Sequence, residues 1–244
     1  MSDVTRPAPQ AAAAELIAAR FPAARAAFLA GSVLTRRRTP TSDLDVLVLV
    51  GAEASRFRES FRHAGWPVEL LVQSEQDWHG FAASETAARR SPLLHMTAHG
   101  RLLVDADGLG TRLQAEARQR LAAGPPPVPH RQLEAMRYAL TDTLDDLRGC
   151  ADPGERVFLA AHLLERAAEL ALLADGRWLG AGKWLSRRLA EADPGLHGRL
   201  TEGVAAVVTG AADGTERLAA VVTEALERAG GPLWDGYRRS SAVD

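Results

Sequence analysis

A chain of 244 residues with 46% hydrophobic and 25% charged side chains has the apolar material for one large domain or two smaller ones, which excludes global disorder. A net charge of −2 and a pI near 6.4 argue against a large nucleic-acid surface, but leave room for a nucleotide, which needs only a local positive pocket. The single Cys150 excludes an intramolecular disulfide and a cysteine-based zinc site; with no signal-peptide pattern and no apolar run of membrane-spanning length, a soluble cytoplasmic protein is expected.

Gln10 to Arg20, Ala-rich with Leu16 and Ile17, predicts a first helix, and Ala26 to Ala30 a first strand that runs into Gly31-Ser32. A helical turn through Val33 and Leu34 gives way to Arg36-Arg37-Arg38, and Thr39-Pro40-Thr41-Ser42 is a loop by its turn residues. Asp43 to Val50 predicts a strand whose VLVLV core is apolar throughout, the pattern of a strand buried on both faces. Ala54 to His63 predicts a helix stopped by Gly65, and Trp66 to Val72 a third strand. Ser74 is an N-cap for a helix from Glu75 to Arg89, and Ser91-Pro92 starts another that Gly100 ends after His99. Arg101 to Asp105 is a short strand and Gly108 to Ala123 a helix.

Gly124-Pro-Pro-Pro-Val-Pro129 cannot be helical and predicts a semi-rigid spacer, so the expected domains are 1–124 and 130–244. Beyond it the strand signal stops. His130–Arg148, Glu155–Asp175, Lys183–Glu191, Leu196–Val208 and Gly214–Ala229 all carry helical patterns, with Leu133, Met136, Leu140, Leu144 and Leu147 forming one apolar stripe, as in a helical bundle.

The chemistry concentrates between Phe28 and Val50. Asp43 and Asp45 are two apart on a predicted strand, so they project from one face, roughly 6–7 Å apart at Cα. Two carboxylates so close call for a cation, and hard oxygen ligands on a rigid strand suit Mg²⁺. Gly31 allows a tight turn with close backbone approach. Ser32 is a good N-cap, with the N–H groups behind it forming an anion site at a helix start. A metal clamp beside a phosphate cradle is the equipment of phosphoryl or nucleotidyl transfer.

Gly31-Ser32, ten intervening residues, then Asp43-Leu44-Asp45 on an apolar strand resembles the nucleotidyltransferase superfamily that includes DNA polymerase beta and the aminoglycoside nucleotidyltransferases. The resemblance implies an α/β (α+β) catalytic domain with a mixed sheet and, from the kanamycin- and streptomycin-type enzymes, an all-α bundle after it. It implies two Mg²⁺ ions held by Asp43, Asp45 and Glu69, the last as third carboxylate in Trp66–Val72. Gly31 and Ser32 would hold phosphates of an NTP, joined by Arg36 from the arginine run and Lys183 from the start of a bundle helix. A bundle carboxylate would act as general base; Glu165 leads, with Asp142 and Asp145 behind it. Glu165 shares a predicted helix stripe with His162, Arg166 and Glu169. The implied reaction moves a nucleoside monophosphate, expected to be AMP, to a hydroxyl of a small, aminoglycoside-like molecule, with a role in antibiotic resistance or biosynthesis. Two alternatives stay open: an antitoxin-type enzyme that modifies a protein or RNA, and a degenerate module that only binds nucleotide.

Overall fold

The computed structural model describes residues 6–239. The chain divides into two compact units, 1–124 and 125–244, and its fold class is an α/β region with a mixed sheet followed by an all-helical region.

The first unit is built on five strands: β1 (Ala26–Ala30), β2 (Leu44–Val50), β3 (Phe57–His63), β4 (Trp66–Ser74) and β5 (Arg101–Asp105). Their spatial order is β3-β4-β2-β1-β5. β2 and β4 run parallel and every other neighbour is antiparallel, which makes the sheet mixed. Helix α1 (Pro9–Arg20) covers one face. Its Leu16 and Ile17 share a core with Leu29, Leu44, Val46, Val48, Val68 and Leu70. Because alternate residues of a strand face opposite ways, Phe28, Leu47 and Leu49 are buried on the other side. That side carries α2 (Glu75–Ala87), α3 (Pro92–His99) and α4 (Leu109–Ala123). Ser74 caps α2 through a reciprocal box in which its Oγ accepts from Asp77 N–H and the Asp77 carboxylate accepts from Ser74 N–H.

One expectation fails. Residues 54–63 are not a helix; Phe57–His63 is edge strand β3, paired with β4 from Phe57↔Val72 to His63↔Trp66. Phe57 and Phe61 are four apart, a spacing that suits one helix face and one strand face equally. Gly65, read as a helix stop, is the second residue of a two-residue hairpin turn, with Ala64 at φ 48° and Gly65 at φ 82°. Two left-handed residues in succession are what a tight antiparallel hairpin of the I′ kind needs.

The second unit holds α5 (His130–Gly149), α6 (Pro153–Ala174), α7 (Lys183–Ala192), α8 (Pro194–Val208) and α9 (Gly214–Arg228). Leu140, Leu144 and Leu147 of α5 join Leu163 and Leu170 of α6, Leu189 of α7, Leu200 of α8 and Leu218, Val222 and Leu226 of α9 in one core, with Leu133 and Met136 packed at its margin. The chain after α9 folds back on α5. Arg137 donates to the carbonyls of Gly230 and Gly231, and Tyr138 stacks on Tyr237 at 4.2 Å and on Trp234 at 5.4 Å between centroids.

Candidate active site

The sheet register assembles the candidate site. Asp45 lies between two neighbours: Ala30, the last residue of β1, and Glu69 on β4. All three belong to the face opposite α1. Asp43 precedes the first paired residue of β2, and the same alternation carried back one step gives it that face too. Asp43, Asp45 and Glu69 are each half-buried.

Gly31 follows Ala30 with φ 87° and ψ −175°, a backbone that side-chain-bearing residues rarely adopt. A Cβ there would run into the Asp45 carboxylate, with Asp45 Cγ only 3.0 Å away. The glycine is therefore a notch that lets the turn backbone approach Asp45 directly.

Ser32 behaves differently from expectation. It is not the cap of a regular helix. Gly31 occupies the cap position, and Ser32–Leu34 is a single 3₁₀ turn without a side-chain cap. The Ser32 hydroxyl is buried against Ser42, with 3.0 Å between the two Oγ atoms. Ser42 Oγ also accepts from Thr39 N–H at 2.9 Å, and the Thr35 hydroxyl donates to the Ser32 carbonyl at 2.9 Å. These bonds close the 35–42 loop and fix the start of β2, and with it Asp43, against the Gly-Ser turn. Sequence reading passed over Ser42; its position directly before the Asp-x-Asp pair was the available signal.

The arginine run divides. Arg38 lies over the Trp66 ring at 4.7 Å, sharing it with Arg6 at 5.1 Å, and Arg6 also donates to the Pro40 carbonyl. Arg36 and Arg37 are exposed. Glu69 has a partner that sequence reading also missed: Arg58 of β3, in an ion pair across the hairpin.

Glu165 and Lys183 belong to the second unit. Glu165 is exposed on α6. Its expected stripe is split, because His162 and Arg166 are exposed whereas Glu169 is 4% exposed and pairs with Arg166 at 2.8 Å. Lys183 is exposed at the first position of α7, after Gly182 at φ 50°. It is the only lysine in the chain; every other position counted among the 29 Lys+Arg is arginine. Nearby, Trp178 is buried, but Trp184 is 41% exposed beneath the guanidiniums of Arg187 and Arg188.

For Mg²⁺, Asp43 and Asp45 offer hard oxygen donors from one face of the sheet, which is the donor chemistry this ion takes, so these residues fit it. Glu69 is engaged by Arg58, and no cluster of three or more His, Cys, Asp or Glu arranged to hold a metal occurs among the described residues.

No protein-family model and no curated protein matches the sequence. Among solved structures, the chain is similar to the crystal structure of a nucleotidyltransferase-like protein from Exiguobacterium sibiricum 255-15, with 14% identity and a TM-score of 0.42 over 89% of this chain and 79% of that one.

Proposed function

We propose that the protein is a Mg²⁺-dependent nucleotidyltransferase, which moves a nucleoside monophosphate, AMP in the first instance, from an NTP to a hydroxyl of a small molecule. The observation that carries this reading is the contact between the Asp45 carboxylate and the Gly31 notch, with Glu69 on the neighbouring strand.

Bound Mg²⁺ would supply charge neutralisation and hold phosphate oxygens, with Asp43 and Asp45 as its protein ligands and Glu69 as a further oxygen donor once released from Arg58. The Gly31–Ser32 backbone holds the leaving phosphates, and the Ser32–Ser42 bond keeps that turn in place. Arg36, exposed beside it, neutralises the pyrophosphate end. Lys183 supplies a compact, flexible positive charge, which arginine does not. In the reaction the acceptor oxygen bonds to the α-phosphorus, the bond from that phosphorus to pyrophosphate breaks, and the hydroxyl proton passes to a carboxylate, for which Glu165 is the candidate.

The test is mass spectrometry of full-length protein incubated with Mg²⁺, four NTPs and a panel of hydroxyl compounds that includes aminoglycosides. A product heavier by one nucleoside monophosphate is expected, and Asp43→Asn with Asp45→Asn abolishes it. Equal turnover by that double variant sinks the assignment. Label on protein or RNA instead of a small molecule would favour an antitoxin-type acceptor.

A further inference from the structure

The edge strand β3 has two unlike faces. Its odd-numbered residues turn toward α1: Phe57 stacks with Phe21, Glu59 pairs with Arg20, and Phe61 lies under the Arg20 guanidinium. The even-numbered row shares the face of Asp45 and Glu69. Arg58 pairs with Glu69, Ser60 is the cross-strand neighbour of Glu69, and Arg62 stands opposite Pro67. Just before the strand, Arg56 reaches Asp77 of α2. Arg62 is exposed and has no ion-pair partner among the described residues. Charge on an edge strand discourages unwanted pairing, but either sign would serve that purpose. Here the row beside the site carries arginine and serine, with no carboxylate.

Position gives the row its meaning. The order β3-β4-β2-β1 sets Asp45 between the Gly31–Ser32 turn on one side and Glu69 with Arg58 on the other, at strand spacings of about 4.8 Å. In phosphoryl transfer the attacking and leaving oxygens are roughly in line. If the leaving phosphates occupy the Gly31–Ser32 side, the acceptor hydroxyl arrives over β4 and β3. Whenever Glu69 turns to a cation, Arg58 loses its partner. Two guanidiniums then face the arriving acceptor.

We infer that the acceptor is a small molecule carrying a phosphate or carboxylate close to the hydroxyl that is modified, and that Arg58 and Arg62 bind this anion. The inference rests on the nucleotidyl-transfer reading of the Asp43–Asp45 site and departs from the cationic, aminoglycoside-like acceptor that the resemblance implies. Guanidinium forks match both anions in bidentate fashion. The anion also competes with Glu69 for Arg58, so the acceptor releases the carboxylate that completes the site. During the step the new bond joins acceptor oxygen to the α-phosphorus, pyrophosphate departs, the hydroxyl proton leaves to a carboxylate, and the anionic group is unchanged.

The test separates a bacterial metabolite extract by ion exchange into cationic, neutral, small-anion and nucleic-acid pools. Each is incubated with full-length protein, Mg²⁺ and α-labelled NTPs. Labelled product from the small-anion pool is expected, and pretreatment of that pool with phosphatase distinguishes a phosphate from a carboxylate. Product from the cationic, neutral or nucleic-acid pool overturns the inference. If no pool is labelled, the transfer reading fails, and the anion site is judged alone. Inorganic phosphate is then titrated calorimetrically into wild type and into Arg58→Gln with Arg62→Gln. A loss of about tenfold in affinity in the double variant sustains the site. Equal affinity, or no measurable phosphate binding by wild type, overturns it. Both replacements are on an exposed edge, and a far-ultraviolet circular dichroism spectrum confirms that the double variant is folded.

Discussion

The two units position their candidate groups in different ways. In residues 1–124, Asp45 is located by ladder bonds to β1 and β4, Gly31 by the end of β1, and Ser32 by a buried side-chain bond to Ser42. In residues 125–244, Glu165 and Lys183 project from exposed helix surface, where a long side chain samples many rotamers. Chemistry that depends on placement belongs to the first arrangement. Contacts that need only charge and reach suit the second. A strand pair with neighbours on both sides leaves a carboxylate little freedom, and catalysis of phosphoryl transfer is chiefly positioning.

That contrast breaks most readily at the glycine notch. Gly31→Ala places a Cβ against the Asp45 carboxylate and asks alanine to hold φ 87°. The backbone cost is about 1–3 kcal/mol, since φ 87° with ψ −175° is adopted almost only by glycine, and displacing a reacting group by an ångström costs about 10²-fold in turnover. A loss of that size in single-turnover transfer, with only a modest fall in the urea midpoint, is expected. If Gly31→Ala retains full activity, the contact with Asp45 is packing alone. Ser42→Ala should act next in size. It strands the Ser32 hydroxyl and the Thr39 N–H, each buried or half-buried, at about 1–3 kcal/mol, and turnover should fall roughly tenfold as the loop loosens. Unchanged denaturant stability in Ser42→Ala would show that water replaces the bond without penalty.

Much of this was legible in the sequence because local signals agreed with the tertiary outcome. Ala26–Ala30 and Arg101–Asp105 stand as strands at the predicted residues, and the five bundle helices begin and end within about two residues of their patterns. Asp43 and Asp45 were legible since a two-residue repeat on an apolar strand fixes a face before any fold is known. What stayed hidden is pairing. Nothing local says that Arg58 meets Glu69 or that Ser32 meets Ser42, because both contacts depend on which strands and loops become neighbours. The misread of residues 54–63 has the same root: Arg, Glu and Ser tolerate helix, and only pairing with β4 makes Phe57–His63 extended.

The second unit can be tested by its lysine. With one lysine in the chain, an amine-reactive label has Lys183 and the N-terminal amine as its targets. If Lys183 contacts the triphosphate, saturating nucleotide with Mg²⁺ protects it, and Lys183→Met raises the KM for NTP about tenfold while lowering kcat less; an exposed ion pair at 0.2–1 kcal/mol would give at most a fivefold change. Labelling that is indifferent to nucleotide removes Lys183 from the site. Glu165→Gln separates base from bystander, since loss of a positioned general base costs about 10²-fold or more in kcat. A variant with the wild-type kcat points the search to another carboxylate of α5 or α6.

The smallest expected effect distinguishes the units by pH. In the first, hydrogen bonds from Arg112 to Glu75, from Ser74 to Asp77, from Thr111 to Asp105 and from Arg25 to Asp107 hold these carboxyls below their ordinary values. In the second, the Leu196 N–H does so for Asp193 and Arg199 for Glu224. A depressed carboxyl stabilises the fold above its unfolded pKa, and that contribution is lost as pH falls through the folded value, so both units weaken in acid. Glu85 has the opposite sign. Burial pushes it from 4.5 to about 7, against a hydrogen bond from Leu93 N–H that lowers it. The folded state favours its neutral form, so its contribution is whole below pH 4.5 and is lost as pH rises toward about 7. Between pH 5 and 8 the first unit should therefore soften while the second holds. Hydrogen exchange, corrected for its intrinsic pH dependence, should show α2 and α3 losing protection over that interval, whereas α6 and α9 keep theirs. Glu85→Gln, whose amide oxygen can still accept from Leu93, should remove the difference. If wild-type α2 and α3 keep constant protection across the interval, Glu85 titrates where an exposed carboxyl does, and the two units share one response to pH.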